Sequence, residues 1–327
     1  KNIVFNLIGP INVALAVVFF SRQEIEKDAF IDTIRLMFYP LVSVLAFVIL
    51  KTPNLETVEF NLGANFETSG GFGTNQVSTA LGLGAFFVFL FWRKNWQLTG
   101  YRWLDLAMLL LFIFRGLVTF SRGGMIGGAL GILLLLLLDS GNLVGEKAFK
   151  PIRTVVTAIP VLLVIVFTFI YADKLTGGLL AQRYQGETAG TLAGRKGKTL
   201  NVLTSNRLQI LIDDLELWKA HPVLGVGVGA SRHLRNDTKG FLSHVETSRL
   251  LSEHGLLGLI YFIILVGLGV RIFRRTRNEH FGAILLALFM IAFFTTLHAA
   301  MRTYVSPLLF GLSLLSVNEM DLIEEES

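Results

Sequence analysis

The chain has no cysteine among its 327 residues, which removes disulfides, thiolate metal sites and a cysteine nucleophile together. Charge is scarce: 16% of residues are Asp, Glu, Lys or Arg, against 53% hydrophobic and a mean hydropathy of +0.61. A soluble domain carries about 25% charged residues, so the composition describes an integral membrane protein. The apolar runs are continuous rather than alternating, which excludes a transmembrane barrel. The six histidines show neither His-x-x-x-His spacing nor carboxylate partners in a metal pattern, so no metal or other cofactor is expected. A net charge of +5 is no nucleic-acid signature, because the basic residues are distributed by membrane topology.

What is present is a series of nine apolar runs, near 4–20, 34–50, 75–92, 104–120, 125–138, 154–172, 255–270, 281–297 and 303–317. Spanning a bilayer takes roughly 20 apolar residues, with about 17 as a lower limit; the runs at 125–138 and 303–317 are short. Backbone in lipid must satisfy its own hydrogen bonds, so the runs predict helices. Thirteen basic residues fall in four short loops, 21–35, 93–103, 139–153 and 271–280. The opposite short loops hold only Lys51, Arg122 and Arg302. The positive-inside rule places the first set in the cytoplasm.

The expected organisation is therefore six spans over 1–172, an outer, periplasmic segment over 173–254, three spans over 255–317 and a cytoplasmic tail over 318–327. The odd span count puts residue 1 outside, and its place within an apolar run reads as an internal start with further spans upstream. The fold class is an all-α polytopic membrane protein in a bacterial inner membrane, surrounded by lipid.

Chemistry is expected in the polar stretch 204–260. Apolar residues at Leu208, Leu211, Ile212, Leu215 and Trp218 predict a helix, capped by Ser205 or Asn206 and stopped by Pro222. Ser243 and Glu246 fit a capping box that opens a second helix; the other reading of Glu246 is a catalytic carboxylate. Arg207 stands in a first turn, where the macrodipole disfavours a cation; it serves either to gather positive potential for an anion or as a solvated surface residue. His244 has a similar placement, which keeps the ring neutral and suits a general base; the bland alternative is a surface histidine.

Arg122 occupies a hairpin tip and Arg115 lies two turns earlier, inside a span, where an ionisable group suggests function or satisfies backbone carbonyls. Arg195, Lys196 and Lys198 add cations in a stretch, 185–200, that reads as mobile. Arg302 with His298 is a further candidate. Gly123/Gly127, Gly124/Gly128 and Gly127/Gly131 form small-xxx-small pairs that admit close helix packing. Gly225-Val226-Gly227 lacks the surrounding strand and the following Lys of a phosphate loop and reads as a flexible turn.

Three pieces, in order, resemble the O-antigen ligase and O-antigen polymerase family of bacterial envelope glycan enzymes. They are Ser121-Arg122-Gly123, then Arg207…Trp218…Pro222-x-x-Gly225-x-Gly227, then His244…Glu253-x-Gly255-Leu256-x-Gly258. Val245 and Thr247 depart from the family's usual Asn and aromatic residue. The resemblance implies a metal-independent glycosyltransferase of the GT-C type. Its donor would be a polyprenyl-pyrophosphate-linked glycan and its acceptor a lipid-anchored molecule, such as lipid A-core, or a glycan. Arg122 and Arg207, with Arg195 as a third cation, would hold the pyrophosphate, and His244 would activate the acceptor hydroxyl. A polymerase of the same family is the near alternative, and an anion transporter using Arg115 and Arg122 the distant one.

Overall fold

The computed structural model describes all residues except 1, 53, 139–150, 196, 277–278, 300, 302 and 319–327. The loop cations Lys147, Lys150, Lys196 and Arg277, the candidate Arg302 and the acidic tail from Asp321 thus lie outside the described residues.

Each of the nine apolar runs carries a helix. The first six are α1 (Asn2–Phe20), α2 (Lys27–Lys51), α3 (Thr74–Lys94), α4 (Arg102–Val118), α5 (Arg122–Leu138) and α6 (Pro151–Leu175). Short helices follow: α7 (Leu179–Tyr184), α8 (Ala189–Leu192), α9 (Leu200–Leu203), α10 (Arg207–Ala220), α11 (Ser231–Leu234) and α12 (Glu246–His254). The apolar series resumes with α13 (Leu256–Arg275), α14 (Gly282–Thr296) and α15 (Val305–Leu312). Four of these, α1, α2, α3 and α13, are long and apolar enough to cross a membrane, with α5 and α14 shorter but equally apolar. The protein is a multi-pass, mostly helical membrane protein.

The run at 303–317 falls short of the expected span. Helix α15 has eight residues and rises about 12 Å at 1.5 Å per residue, against a hydrocarbon core of about 30 Å. The chain leaves helical geometry after Leu312 because β2 (Ser316–Asn318) pairs in parallel with β1 (Glu24–Glu26).

Helix α3 is the axis of the bundle: 83% of its apolar window is buried, against 17% for α1 and α13, which face lipid. Its partner α5 approaches at backbone distance. A Cβ on Gly124 would stand 2.2 Å from the Ser78 carbonyl carbon, and one on Gly128 would stand 2.3 Å from the Gly82 oxygen. Lipid supplies no hydrophobic drive between helices, so such small-residue seams supply the packing. On the other side of α5, Gly123 lies against the His298 ring and Gly127 against Phe294. One glycine-rich helix is thereby wedged between α3 and α14.

The helix ends sort into two faces. One gathers the start of α3, the α4–α5 hairpin, the end of α14 and the short helices α7 to α12. The other holds Arg35, whose Nη2 donates to the Gln97 carbonyl at 3.0 Å, and Arg275, whose Nη2 donates to the Leu315 carbonyl at 2.9 Å.

The Gly225-Val226-Gly227 stretch is a packed junction rather than a flexible turn. Val226 N donates to Ser252 O at 2.9 Å, Gly227 N to Glu253 O at 3.1 Å, and Leu256 N to Val223 O at 3.0 Å. A Cβ on Gly225 would lie 2.4 Å from the Glu253 carbonyl carbon, and one on Gly255 would lie 2.4 Å from Val223 O. Glycine is required because two backbones touch. The expected capping box is also absent: the residue before α12, Val245, occupies the cap position and no side-chain cap forms there. Glu246 instead pairs with Arg249, one turn on, because both side chains are buried and a buried charge needs its partner more than a helix end needs a cap.

Candidate functional site

The site is built where three backbone turns leave the ordinary helical and extended regions. Phe120 (φ +56), Ser205 (φ +54) and Asn206 (φ +64) are three of the four described non-glycine residues with positive φ. Such conformations cost on the order of 1–3 kcal/mol each and persist only where surrounding packing dictates them. Phe120 is fully buried and stacks on Phe60 with centroids 5.5 Å apart. Two residues later Arg122 emerges. Its neighbour Ser121 donates to Asn75 Oδ1 at 2.9 Å and accepts from Ser78 Oγ at 3.0 Å, which ties the hairpin tip to the first turn of α3. Ser205 and Asn206 turn the chain so that Arg207 begins α10; Asn206 contributes no side-chain cap, so its left-handed backbone is its contribution.

Sequence reasoning missed a third cation, Arg183 on α7. It carries no motif and lies in a six-residue helix; the only signal was its place among polar residues after the sixth apolar run. Arg183 Nη2 and Arg122 Nη2 both donate to Ser205 Oγ, at 3.4 and 3.3 Å. Arg122 Nη1 donates to the Arg183 carbonyl at 3.0 Å. Arg207 Nη2 donates to the His298 carbonyl at 3.4 Å and to Asn75 Oδ1 at 3.5 Å, while its buried Nε has no partner. Every acceptor here is neutral. Among the described residues, none of the three guanidiniums has a carboxylate partner.

The electrostatic signature follows. Burial, then the charges of Arg122 and Arg207, push Arg183 down to about 10. Burial, then Arg122, lowers Arg207. Burial pushes the Tyr184 phenol up to about 12. His298 is pushed down to about 4, chiefly by burial, with Arg207 and His244 adding to the effect. Its Nδ1 donates to Phe294 O at 2.9 Å, and its Nε2 faces the Thr79 hydroxyl at 3.2 Å. His298 is therefore a neutral wall of the site.

Arg122, Tyr184, Arg207, Val245 and His298 line a cavity of about 470 Å³. A second, almost wholly apolar cavity of about 220 Å³ runs between α3, α4, α5 and α6 and shares Ile126 and Tyr184 with the first. Ile126 is 45% exposed, so this groove reaches the outer surface of the bundle. The pair forms one cationic chamber opening into an apolar slot.

The other sequence candidates divide. His244 is half-buried, one residue from Val245, and close enough for its charge to act on His298. Arg195 is exposed and stands outside the cavity lining, whereas Arg183 lies beside Arg122 through their shared Ser205 hydroxyl. Arg115 is buried in α4 and donates to the Thr52 carbonyl at 3.0 Å; it holds an adjoining loop. Glu246 is buried against Arg249. Among the described residues, no group of three or more His, Asp or Glu side chains is placed to hold a metal.

Residues 107–263 match the family model described as O-antigen ligase. No curated protein and no solved structure matches the chain. The matched segment starts in α4 and ends in α13, so it contains Arg122, Arg183, Arg207 and His244.

Proposed function

From the premise that this chain belongs, through residues 107–263, to the O-antigen ligase family, we propose that it transfers a glycan from a polyprenyl-pyrophosphate carrier to a lipid-anchored or glycan acceptor. The observation that carries the reading is a cluster of three half-buried arginines that have no carboxylate partner among the described residues: Arg122 and Arg207 line one cavity, and Arg183 shares the Ser205 hydroxyl with Arg122. Cations held by neutral carbonyls and a hydroxyl keep N–H groups and charge for a ligand. Guanidinium forks match phosphate oxygens bidentately, and a pyrophosphate supplies the missing negative charge.

The apolar slot suits the carrier's hydrocarbon chain, which would enter sideways from lipid past Ile126 while the pyrophosphate rests on Arg122, Arg183 and Arg207. This lateral arrangement favours a transferase over an anion transporter, which needs a path through the membrane. The acceptor hydroxyl attacks the anomeric carbon as its proton passes to His244. The bond from that carbon to the pyrophosphate oxygen breaks, and the carrier pyrophosphate departs with the bonding electrons. The arginines stabilise the charge that develops on the leaving group, a task often given to a divalent cation. His298, at about 4, is too weak a base near neutral pH, which leaves the role to His244. The active face would lie in the periplasm.

The test is incubation of purified protein with a defined lipid-linked oligosaccharide and candidate acceptors in EDTA, with products read by mass. Transfer by the wild type and none by a correctly inserted His244→Ala variant is expected. Turnover by that variant at the wild-type rate would remove the base, and a requirement for a divalent ion would remove the arginine role.

A further inference from the structure

A second polar cavity borders the segment that carries His244. Its volume is about 190 Å³, and it is walled by Phe5 and Asn6 of α1, Ser231 and Arg232 of α11, Ser243, and Glu253 of α12. Ser243 lines this cavity and Val245 lines the arginine chamber, so the residue between them is His244. One three-residue wall serves both spaces.

Behind the cavity stands a buried ionic network. Arg235 Nε pairs with Asp214 at 2.8 Å; Arg249 bridges Glu246 and Glu253, the latter at 3.0 Å. Arg249 also donates to the Asn6 carbonyl at 3.1 Å, and Ser231 Oγ donates to Glu253 Oε1 at 2.8 Å. The Arg235–Asp214 pair is neutral, and one arginine between two glutamates leaves a single negative charge. Arg232 supplies the balancing positive charge, so the cavity's surroundings are close to neutral. An anion is not called for here, unlike in the arginine chamber.

Two groups remain for a ligand. The Arg232 guanidinium makes no hydrogen bond or ion pair among the described residues, and its Nε is buried without a partner. The Glu253 carboxylate accepts one bond on each oxygen and retains further lone pairs. Phe5 and Leu242, 55% and 50% exposed, add apolar surface beside them. A guanidinium donor, carboxylate acceptors and an aromatic flank in one small cavity match a ring of hydroxyls with a C–H face, since each hydroxyl both donates and accepts.

We propose that this cavity is the acceptor subsite, seating one neutral sugar ring with a hydroxyl presented to His244. Arg232 is its specificity-determining donor. The proposal rests on the transferase reading, which puts the donor in the arginine chamber. It adds that donor and acceptor are seated in separate cavities that border one segment, with the reacting hydroxyl brought past His244 to the donor's anomeric carbon.

The test is a binding measurement, so it does not require turnover. Full-length protein in detergent is titrated with D-glucose, D-galactose and N-acetyl-D-glucosamine, and separately with inorganic pyrophosphate, reading thermal protection. At least one neutral sugar should protect the wild type at millimolar concentration. That protection should be lost in Arg232→Gln and kept in Arg207→Gln, whereas pyrophosphate protection should be lost in Arg207→Gln and kept in Arg232→Gln. In a transfer assay, Arg232→Gln should raise the acceptor KM by about tenfold or more, the scale of one hydrogen bond to a charged donor, with the donor KM unchanged. No sugar protection of the wild type, sugar protection that survives Arg232→Gln, or pyrophosphate protection that depends on Arg232 would each overturn the subsite. Absence of transfer by a wild type that still binds sugar through Arg232 would instead overturn the transferase reading, and the acceptor role with it, while leaving a neutral-sugar site.

Discussion

At the scale of single residues, the site depends on geometry that charge alone does not supply. Arg207→Lys keeps the positive charge but loses the planar fork and the Nε donor that has no protein partner. Transfer by that variant should fall about 30- to 150-fold, corresponding to roughly 2–3 kcal/mol for charge-assisted hydrogen bonds. Rates within about twofold of wild type across donor concentration would leave Arg122 and Arg183 to hold the pyrophosphate. His298 makes a prediction about pH. Its folded pKa, about 4, lies below the unfolded value of about 6.5, so the unfolded chain binds the proton more tightly. Its contribution to stability is full above about 6.5, fades as pH falls towards 4, and amounts at most to an order of 3 kcal/mol. His298→Asn keeps a donor for the Phe294 carbonyl without the titration. The decline in thermal midpoint between pH 6.5 and 4 should be shallower in this variant; an identical decline would assign the acid sensitivity to other groups.

At the scale of elements, the glycine motifs act through backbone contact. Gly255 combines φ +57 and ψ −123 with a would-be Cβ 2.4 Å from Val223 O. Gly255→Ala should therefore cost about 1–3 kcal/mol through strain and overpacking. It should also lower transfer, because α12 and the His244 segment that precedes it are anchored at this junction. Full activity with an unchanged thermal midpoint would sever the link between junction and site. What the sequence made legible follows from the range of each interaction. Runs of apolar residues register with every neighbour, so all nine helices could be located, as could Arg122 and Arg207 at the starts of theirs. Arg183 could not, because a six-residue helix has no periodicity and its importance exists only through Ser205 and Arg122 from distant stretches. Glu246 was misjudged as a cap because its true partner, Arg249, gains its hold from burial that no local pattern reveals. Gly225 reads as part of a flexible turn because the backbone it touches lies 28 residues away, at Glu253.

At the scale of the whole molecule, the charge asymmetry between the short loops and the single face that gathers Arg122, Arg183, Arg207 and His244 describe one division of labour. A rigid central seam of α3 and α5 carries the arginine hairpin, while lipid-exposed α1 and α13 flank it. The chamber itself sets a kinetic expectation. On the proposed transfer, the three guanidiniums, which have no carboxylate partner among the described residues, would grip the part of the donor that remains after the glycan has moved, and more firmly as its charge becomes fully developed. The spent carrier would then be the last species to leave, and turnover would be governed by escape rather than by bond breaking. Rapid mixing should show a first round of product equal to the amount of enzyme, followed by a slower steady rate that rises as added salt loosens the grip.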